Sequence, residues 1–333
     1  MKIIASAPGN IFLFGEHASV YGYPAIIASV DRRTTVELTG ILGNNISLHS
    51  ELGTIEAELK DGKLINEVIS NPELEIIYFF MKQTVENFSV KSGFRVEVKS
   101  QIPVGSGMSS STAVLCSLFG ALTTFAGKSI DHQDYFDYIF PIQRQIHGGS
   151  ASGNEIISSS LGGFNYIKKE GDDVKKAQLG NVELNVVIAD SLIKSPTKNT
   201  VAFHVPSLIK RRKDDVFAKF DEIGRIVDEA VILLSKERIV KEEEKQLGNL
   251  INLNQDVLDK LYLSHPKLDD CIDEARNAGA LGAKLSGSGW GGIMFALVKS
   301  AYEDKVKSRM EATGAKVFAT KTGVEGVIVK IEN

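Results

Sequence analysis

Only two cysteines and a single tryptophan occur in 333 residues. Cys116 and Cys271 both lie in apolar patterns of helical spacing, which predicts buried, reduced thiols and excludes a disulfide framework or a cysteine metal cluster. No run approaches the roughly 18 apolar residues that a membrane span needs. The opening "MKIIASAPGN" reaches Pro and Gly too early for a signal peptide, so a cytoplasmic protein is expected. A basic surplus is missing as well: the net charge is −4, which argues against a nucleic-acid partner. The one dense basic run, Lys210 to Lys213, is followed at once by two aspartates and reads as a solvated helix start. There is no internal repeat and no low-complexity segment.

What remains is an ordinary globular composition in a chain long enough for two domains. Up to about residue 100 the pattern reads as strands and turns, in "IIASAPGNIFLFGEH", "TTVELTG" and "FRVEVKS". Helical spacing then predicts helices over 110–126, 132–146, 214–236, 241–262 and 266–278. "VELNVVIADSLI" reads as a buried strand, and the tail alternates strand, helix and strand. The polar stretch 169–181 is the best candidate boundary. Strands and helices without a regular βαβ rhythm predict an α+β protein.

Three Gly/Ser-rich turns stand out. "PVGSGMSSST" (103–112) joins an alternating strand to an apolar helix. A helix start offers free N–H groups and partial positive charge, and glycines let an anion come close, so phosphate binding is one reading. A serine N-cap in a tight turn is the other. No Gly-Lys-Ser/Thr ends the stretch, so it is not a Walker A loop. "KLSGSGWGG" (284–292) matches G-x-G-x-x-G through Gly287, Gly289 and Gly292, but the β-like "IMFALV" that follows argues against a dinucleotide turn. "HGGSASGNE" (147–155) adds a histidine and a carboxylate. His147 reads either as a base or, more ordinarily, as a histidine satisfied by helix carbonyls. Together the three turns point to distant segments converging on a phosphorylated ligand.

These segments resemble the GHMP small-molecule kinases. "SAPGNIFLFGEHASVYGYPAIIASVDRRTTV" (6–36) is similar to the family's first motif, "IPVGSGMSSSTAV" to its phosphate loop and "GAKLSGSGWGG" to its third motif. The resemblance covers nearly the whole chain. It implies a two-domain fold, with an N-terminal ATP-loop domain (1–172) and a C-terminal ferredoxin-like domain (173–333). It also implies ATP- and Mg²⁺-dependent phosphorylation of a small alcohol, with mevalonate favoured. A mevalonate phosphate, a sugar, or an ATP-binding relative with little catalysis are the alternatives, and a homodimer is left open. Pro103, Gly105, Ser106, Gly107, Ser109, Ser110 and Ser111 would then line ATP, with Ser111 on Mg²⁺. Glu16, His17, Ser152, Thr197 and Gly287 would border the acceptor. The alternatives for Glu16–His17 and for Thr197 are a surface turn and a helix cap.

Three positions depart from the family pattern. Asn10 stands where a lysine is usual beside the reacting hydroxyl, and Gln143 where a glutamate would ligate Mg²⁺. Glu155 stands where an aspartate would be the general base, with one residue inserted before Ser152. Glu155 keeps a carboxylate for the proton, whereas Gln143 keeps an oxygen but loses its charge. The losses at Asn10 and Gln143 cancel in net charge, which suggests that they are linked.

Overall fold

The computed structural model describes residues 1–103, 105–146, 153–171, 173–180, 182–194 and 200–332. Its strands are β1 (Lys2–Phe14), β2 (Ala25–Gly40), β3 (Asn45–Ser50), β4 (Gly53–Lys60), β5 (Lys63–Ile69), β6 (Phe94–Ser100), β7 (Phe164–Glu170), β8 (Asp173–Gln178), β9 (Leu184–Asp190), β10 (Gly282–Ser286), β11 (Ile293–Leu297), β12 (Lys316–Thr322) and β13 (Ile328–Glu332). Its helices are α1 (Glu75–Asn87), α2 (Ser110–Phe125), α3 (Tyr135–Ile146), α4 (Asn154–Leu161), α5 (Val205–Leu234), α6 (Lys241–Lys260), α7 (Pro266–Ala278) and α8 (Glu303–Glu311).

All the strands join one sheet in the order β10-β11-β9-β12-β2-β6-β3-β4-β5, with β1 pairing β2 and β13, and β7 pairing β2 and β8. The two halves of this sheet meet through a single residue pair, Thr322 with Val30. On one side, β9, β10, β11 and β12 lie antiparallel in the spatial order 10-11-9-12, with helices α5 to α7 after β9 and α8 after β11. That is the ferredoxin-like arrangement. On the other side, β1 alternates buried and half-buried up to Ser6 and is then almost wholly buried to Phe14. The change has a simple cause: beyond Ser6 the strand is covered on both faces, by α2 and α4 among others.

α2 is the central helix of the N-terminal half, with 12 consecutive buried residues from Thr112 to Thr123. A helix apolar all round must be enclosed by other elements. Phe119 fixes it there, with ring centroids 4.8 Å from Tyr135, 5.0 Å from Tyr138, 5.7 Å from Phe88 and 6.1 Å from Phe80.

Three local readings of the sequence need correction. The first hundred residues contain α1, preceded by a 3-10 turn (Pro72–Leu74) that Asn71 caps, its side chain accepting from Glu73 N–H. Its "IIYFF" favours strand on propensity, but packing against α2 decides otherwise. The Ser-rich segment before Gly162 folds as α4. α5 begins at Val205 and breaks at Arg212 (φ −145°, ψ 54°), so the basic run lies within a kinked helix. Separately, the polar stretch 169–181, read as a candidate boundary, carries β8, which pairs antiparallel with β7. Both cysteines are free and buried, as the sequence predicts, and burial raises both thiol pKa values. Among the described residues no helix is long and apolar enough to cross a membrane.

Phe119→Ala removes the ring on which four aromatic side chains converge. It should lower the unfolding free energy by about 3–5 kcal/mol, read from urea midpoints. A loss below about 1 kcal/mol would mean that the helix is not anchored through this residue.

Candidate active site

The turn between β6 and α2 lies directly on β1. Asn10 N–H donates to the Met108 carbonyl at 3.2 Å, and a Cβ on Gly9 would stand 2.8 Å from that same oxygen. Gly9 is therefore the residue that lets the loop come so close. Within the loop, Ser106 is buried and its hydroxyl donates to the Pro103 carbonyl at 2.8 Å. Gly105 and Gly107 flank it with positive φ. Ser109 is the N-cap of α2, yet it adopts the left-handed conformation (φ 59°, ψ 41°) and makes no capping bond. Its hydroxyl donates instead to Asn10 Oδ1 at 2.8 Å. The reading of this stretch as an ordinary serine cap is thereby set aside. Among the described residues no side chain caps the start of α2, so its first N–H groups keep their affinity for an anion. Ser110 is half-buried and Ser111 is exposed in that first turn.

Asn10 is buried, and its amide is fully engaged. Besides accepting from Ser109, it donates through Nδ2 to the Glu155 carbonyl at 3.3 Å and to Ser159 Oγ at 3.2 Å. Ser159 in turn donates to the Pro8 carbonyl at 2.9 Å. One side chain thus fastens the α2 loop to the first turn of α4, where Glu155 lies half-buried. Gln143, buried on α3, reaches the same helix start from elsewhere: its Nε2 donates to Thr112 Oγ1 at 3.0 Å. Among the described residues Gln143 Oε1 is buried without a hydrogen-bond partner. His147, Ser152 and Thr197 lie outside the described residues.

The end of β1 is held by the other half of the molecule. Phe12 N–H donates to Ser286 Oγ at 2.9 Å, and Lys284 Nζ on β10 donates to Glu16 Oε1 and, at 2.7 Å, to the Leu285 carbonyl. Both members of the Glu16–Lys284 ion pair are fully enclosed. Burial pushes the Glu16 carboxyl up and the Lys284 ammonium down, and each is opposed by the charge of the other. Among the described residues Glu16 Oε2 makes no hydrogen bond of good geometry, although the nearby Gly287 backbone N–H helps hold this carboxyl down.

His17 is buried beside this pair at φ 61° and ψ −48°, a positive φ that few non-glycine residues adopt. Its Nε2 lies 3.2 Å from the Ser288 carbonyl. A carbonyl can only accept, so Nε2 carries the proton and Nδ1, buried with no partner among the described residues, is a bare acceptor. Burial holds this imidazole down to about 4, so it is neutral at pH 7.

The glycine turn from Gly287 to Gly292 therefore spans the site. Ser288 meets His17 at one end, and at the other a Cβ on Gly292 would stand 3.3 Å from the Ser106 carbonyl. Gly287 itself has open space around it. The strand after this turn, β11, rules out a dinucleotide fingerprint, as the sequence indicated. Lys284 escaped the sequence reading. Its only signal there was one charge inside an apolar strand, and its partner is 268 positions away.

Two family patterns match the chain. One described as GHMP kinases N terminal domain covers residues 75–163, and one described as GHMP kinases C terminal covers residues 235–316. The chain belongs to the GHMP kinases, which use ATP to phosphorylate small molecules. Among its relatives are mevalonate kinases, that of Thermococcus sibiricus (32% identical, 99% of each chain covered) and that of Pyrococcus furiosus (31%, covering 100% of this chain and 99% of that one). The crystal structure of the Methanococcus jannaschii mevalonate kinase superposes with a TM-score of 0.82 at 26% identity, covering 97% of this chain and 98% of that one.

Two variants test the geometry. Asn10→Leu is close in shape but leaves the Ser109 and Ser159 hydroxyls and the Glu155 carbonyl without this partner. It should cost about 1–3 kcal/mol of stability and lower kcat more than it raises KM for ATP. Unchanged stability would mean that the amide ties nothing together. His17 gives a pH signature. Its folded pKa of about 4 lies below the ordinary value near 6.5, so between these the unfolded chain holds a proton that the folded one does not. Stability is fully retained above about pH 6.5 and falls by up to about 3 kcal/mol as the pH drops through 4. His17→Gln should flatten that slope relative to wild type in urea titrations, and an identical slope would place the effect elsewhere.

Proposed function

We propose that this GHMP kinase transfers the γ-phosphoryl group of ATP to the primary 5-hydroxyl of mevalonate. The observation that carries the reading is the triple engagement of Asn10, which joins an uncapped helix start to the backbone of Glu155. In this reading Asn10 ties the candidate anion site to the backbone of the residue that supplies the carboxylate. Full-length similarity to mevalonate kinases supports mevalonate as the acceptor. The reading keeps a nucleotide lobe over 1–172 and a C-terminal lobe over 173–333, with the reaction between them.

In this reading the N–H groups of Gly105 to Ser111 hold the phosphates, and the open start of α2 spreads the charge that develops on the transferred group. Glu155 accepts the hydroxyl proton as the acceptor oxygen bonds to the γ-phosphorus and the bond to the leaving ADP oxygen breaks. His17 Nδ1 and Glu16 Oε2 are two buried acceptors of hydrogen bonds. They suit an alcohol's O–H, whereas a carboxylate would meet lone pairs with lone pairs, which orients an acceptor carrying both groups. Gly287, with open space beside it, borders the same ligand. Asn10 acts by positioning Glu155 and Ser109 rather than by touching the reacting atoms.

Mg²⁺ fits the residues present. Gln143 Oε1 is a buried oxygen without a partner among the described residues, and Ser111 is exposed in the first turn of α2. These two would hold the ion, which when bound neutralises phosphate charge. A neutral amide is a weaker partner for hard Mg²⁺ than a carboxylate.

An ADP-release assay against mevalonate, its phosphates, homoserine and galactose tests the function. Mevalonate should give the highest kcat/KM, and nucleotide binding without turnover of any alcohol would contradict the reading. Glu155→Gln should lower kcat by about 10²–10⁴-fold with ATP affinity little changed. Full activity in that variant would remove Glu155 from the chemistry.

A further inference from the structure

The chain's one tryptophan stands on the glycine turn, and none of the roles above uses it. Trp290 is half-buried, and its ring packs against the ring of His204 with centroids 4.7 Å apart. The two side chains are pinned to neighbouring carbonyls: Trp290 Nε1 donates to Tyr262 O at 3.0 Å, and His204 Nε2 lies 3.1 Å from Leu261 O. A third carbonyl of that segment, Leu263 O, would be 1.7 Å from a Cβ on Gly289. Three elements therefore meet at the end of α6: the glycine turn, residues 261–263, and the π-helical turn Thr200–His204 that leads into α5. Arg212, where α5 breaks, lies over the Tyr262 ring at 5.7 Å and extends the same contact.

This assembly adjoins the acceptor side of the site. Trp290 is two residues from Ser288, whose carbonyl faces His17, and His17 feels the His204 imidazole. We propose that the Trp290–His204 ring pair is a positioning latch for the acceptor: it seats the Thr200–His204 turn against the glycine turn and so sets acceptor affinity without touching the reacting atoms. The proposal rests on the placement of the acceptor beside Glu16 and His17. The phosphate-loop segment meets this turn at its far end, where a Cβ on Gly292 would stand 3.3 Å from the Ser106 carbonyl, so in the proposed reading ATP affinity is independent of the latch.

The test pairs kinetics with fluorescence, because the lone tryptophan reports on its own surroundings. The acceptor used is whichever alcohol of the panel the wild-type protein turns over fastest. Trp290→Leu and His204→Leu should each raise KM for that acceptor by about tenfold, with KM for ATP and kcat within about threefold. Trp290→Phe keeps a ring and should stay within about threefold of wild type for the acceptor. In the unaltered protein, tryptophan emission should shift on adding the acceptor and stay constant on adding a non-hydrolysable ATP analogue. Equal changes in both KM values, a selective rise for ATP, or emission that follows the nucleotide alone would overturn the latch. The emission result decides even where a variant fails to fold. If the fastest acceptor is galactose, the mevalonate reading fails while the latch is still decided on galactose. If ATP binds and no alcohol turns over, both fail.

Discussion

The arrangement depends on one buried ion pair. Lys284 and Glu16 are enclosed from solvent, one on β10 and the other at the end of β1, and together they fasten the first motif to the glycine turn. Removing two charges from water is costly, and a pair of apolar residues would hold the strands at least as well. Its value is therefore geometric. An ammonium that must find its carboxylate fixes the register of β10 against the β1 turn, and with it the place of Ser288, His17 and Gly292. Ser286, which accepts from Phe12 N–H, makes the same join through the backbone.

Around that join the site is built from short polar ties rather than from a preformed basic cluster. A lysine at position 10 could donate but could not accept from Ser109, so the bond that draws this hydroxyl away from capping α2 needs an amide there. Gln143 meets the same helix start through Thr112. Asn10 and Gln143 thus share a structural element without a bond between them, and their link is one of common purpose at α2. In the proposed reading, a neutral pair at this position leaves the helix start and the loop N–H groups to supply positive field toward the phosphates.

Much of this was legible in the sequence. The alternation of "FRVEVKS" and the helical spacing after Ser110 located the α2 loop, because a strand and an apolar helix have different periods. The β-like run after Gly292 correctly excluded a dinucleotide turn. α1 and α4 were hidden by residues whose local preferences point elsewhere, aromatic and β-branched in one case and a run of serines between flanking glycines in the other. The Glu16–Lys284 pair and the Trp290–His204 contact were beyond reach for a different reason. Each joins residues far apart in sequence, and no periodicity records such a meeting.

The most direct measurement is a double-mutant cycle on the ion pair, with Glu16→Gln, Lys284→Met and the combination, read by unfolding free energy and by KM for the acceptor. Either single change leaves a buried group without its partner and should cost about 3–5 kcal/mol. The double variant should recover most of that stability, giving a coupling of at least about 2 kcal/mol, yet keep a raised acceptor KM because the register is no longer enforced. Additive losses within a few tenths of a kcal/mol, or a double variant with wild-type acceptor KM, would contradict the claim that this pair sets the site.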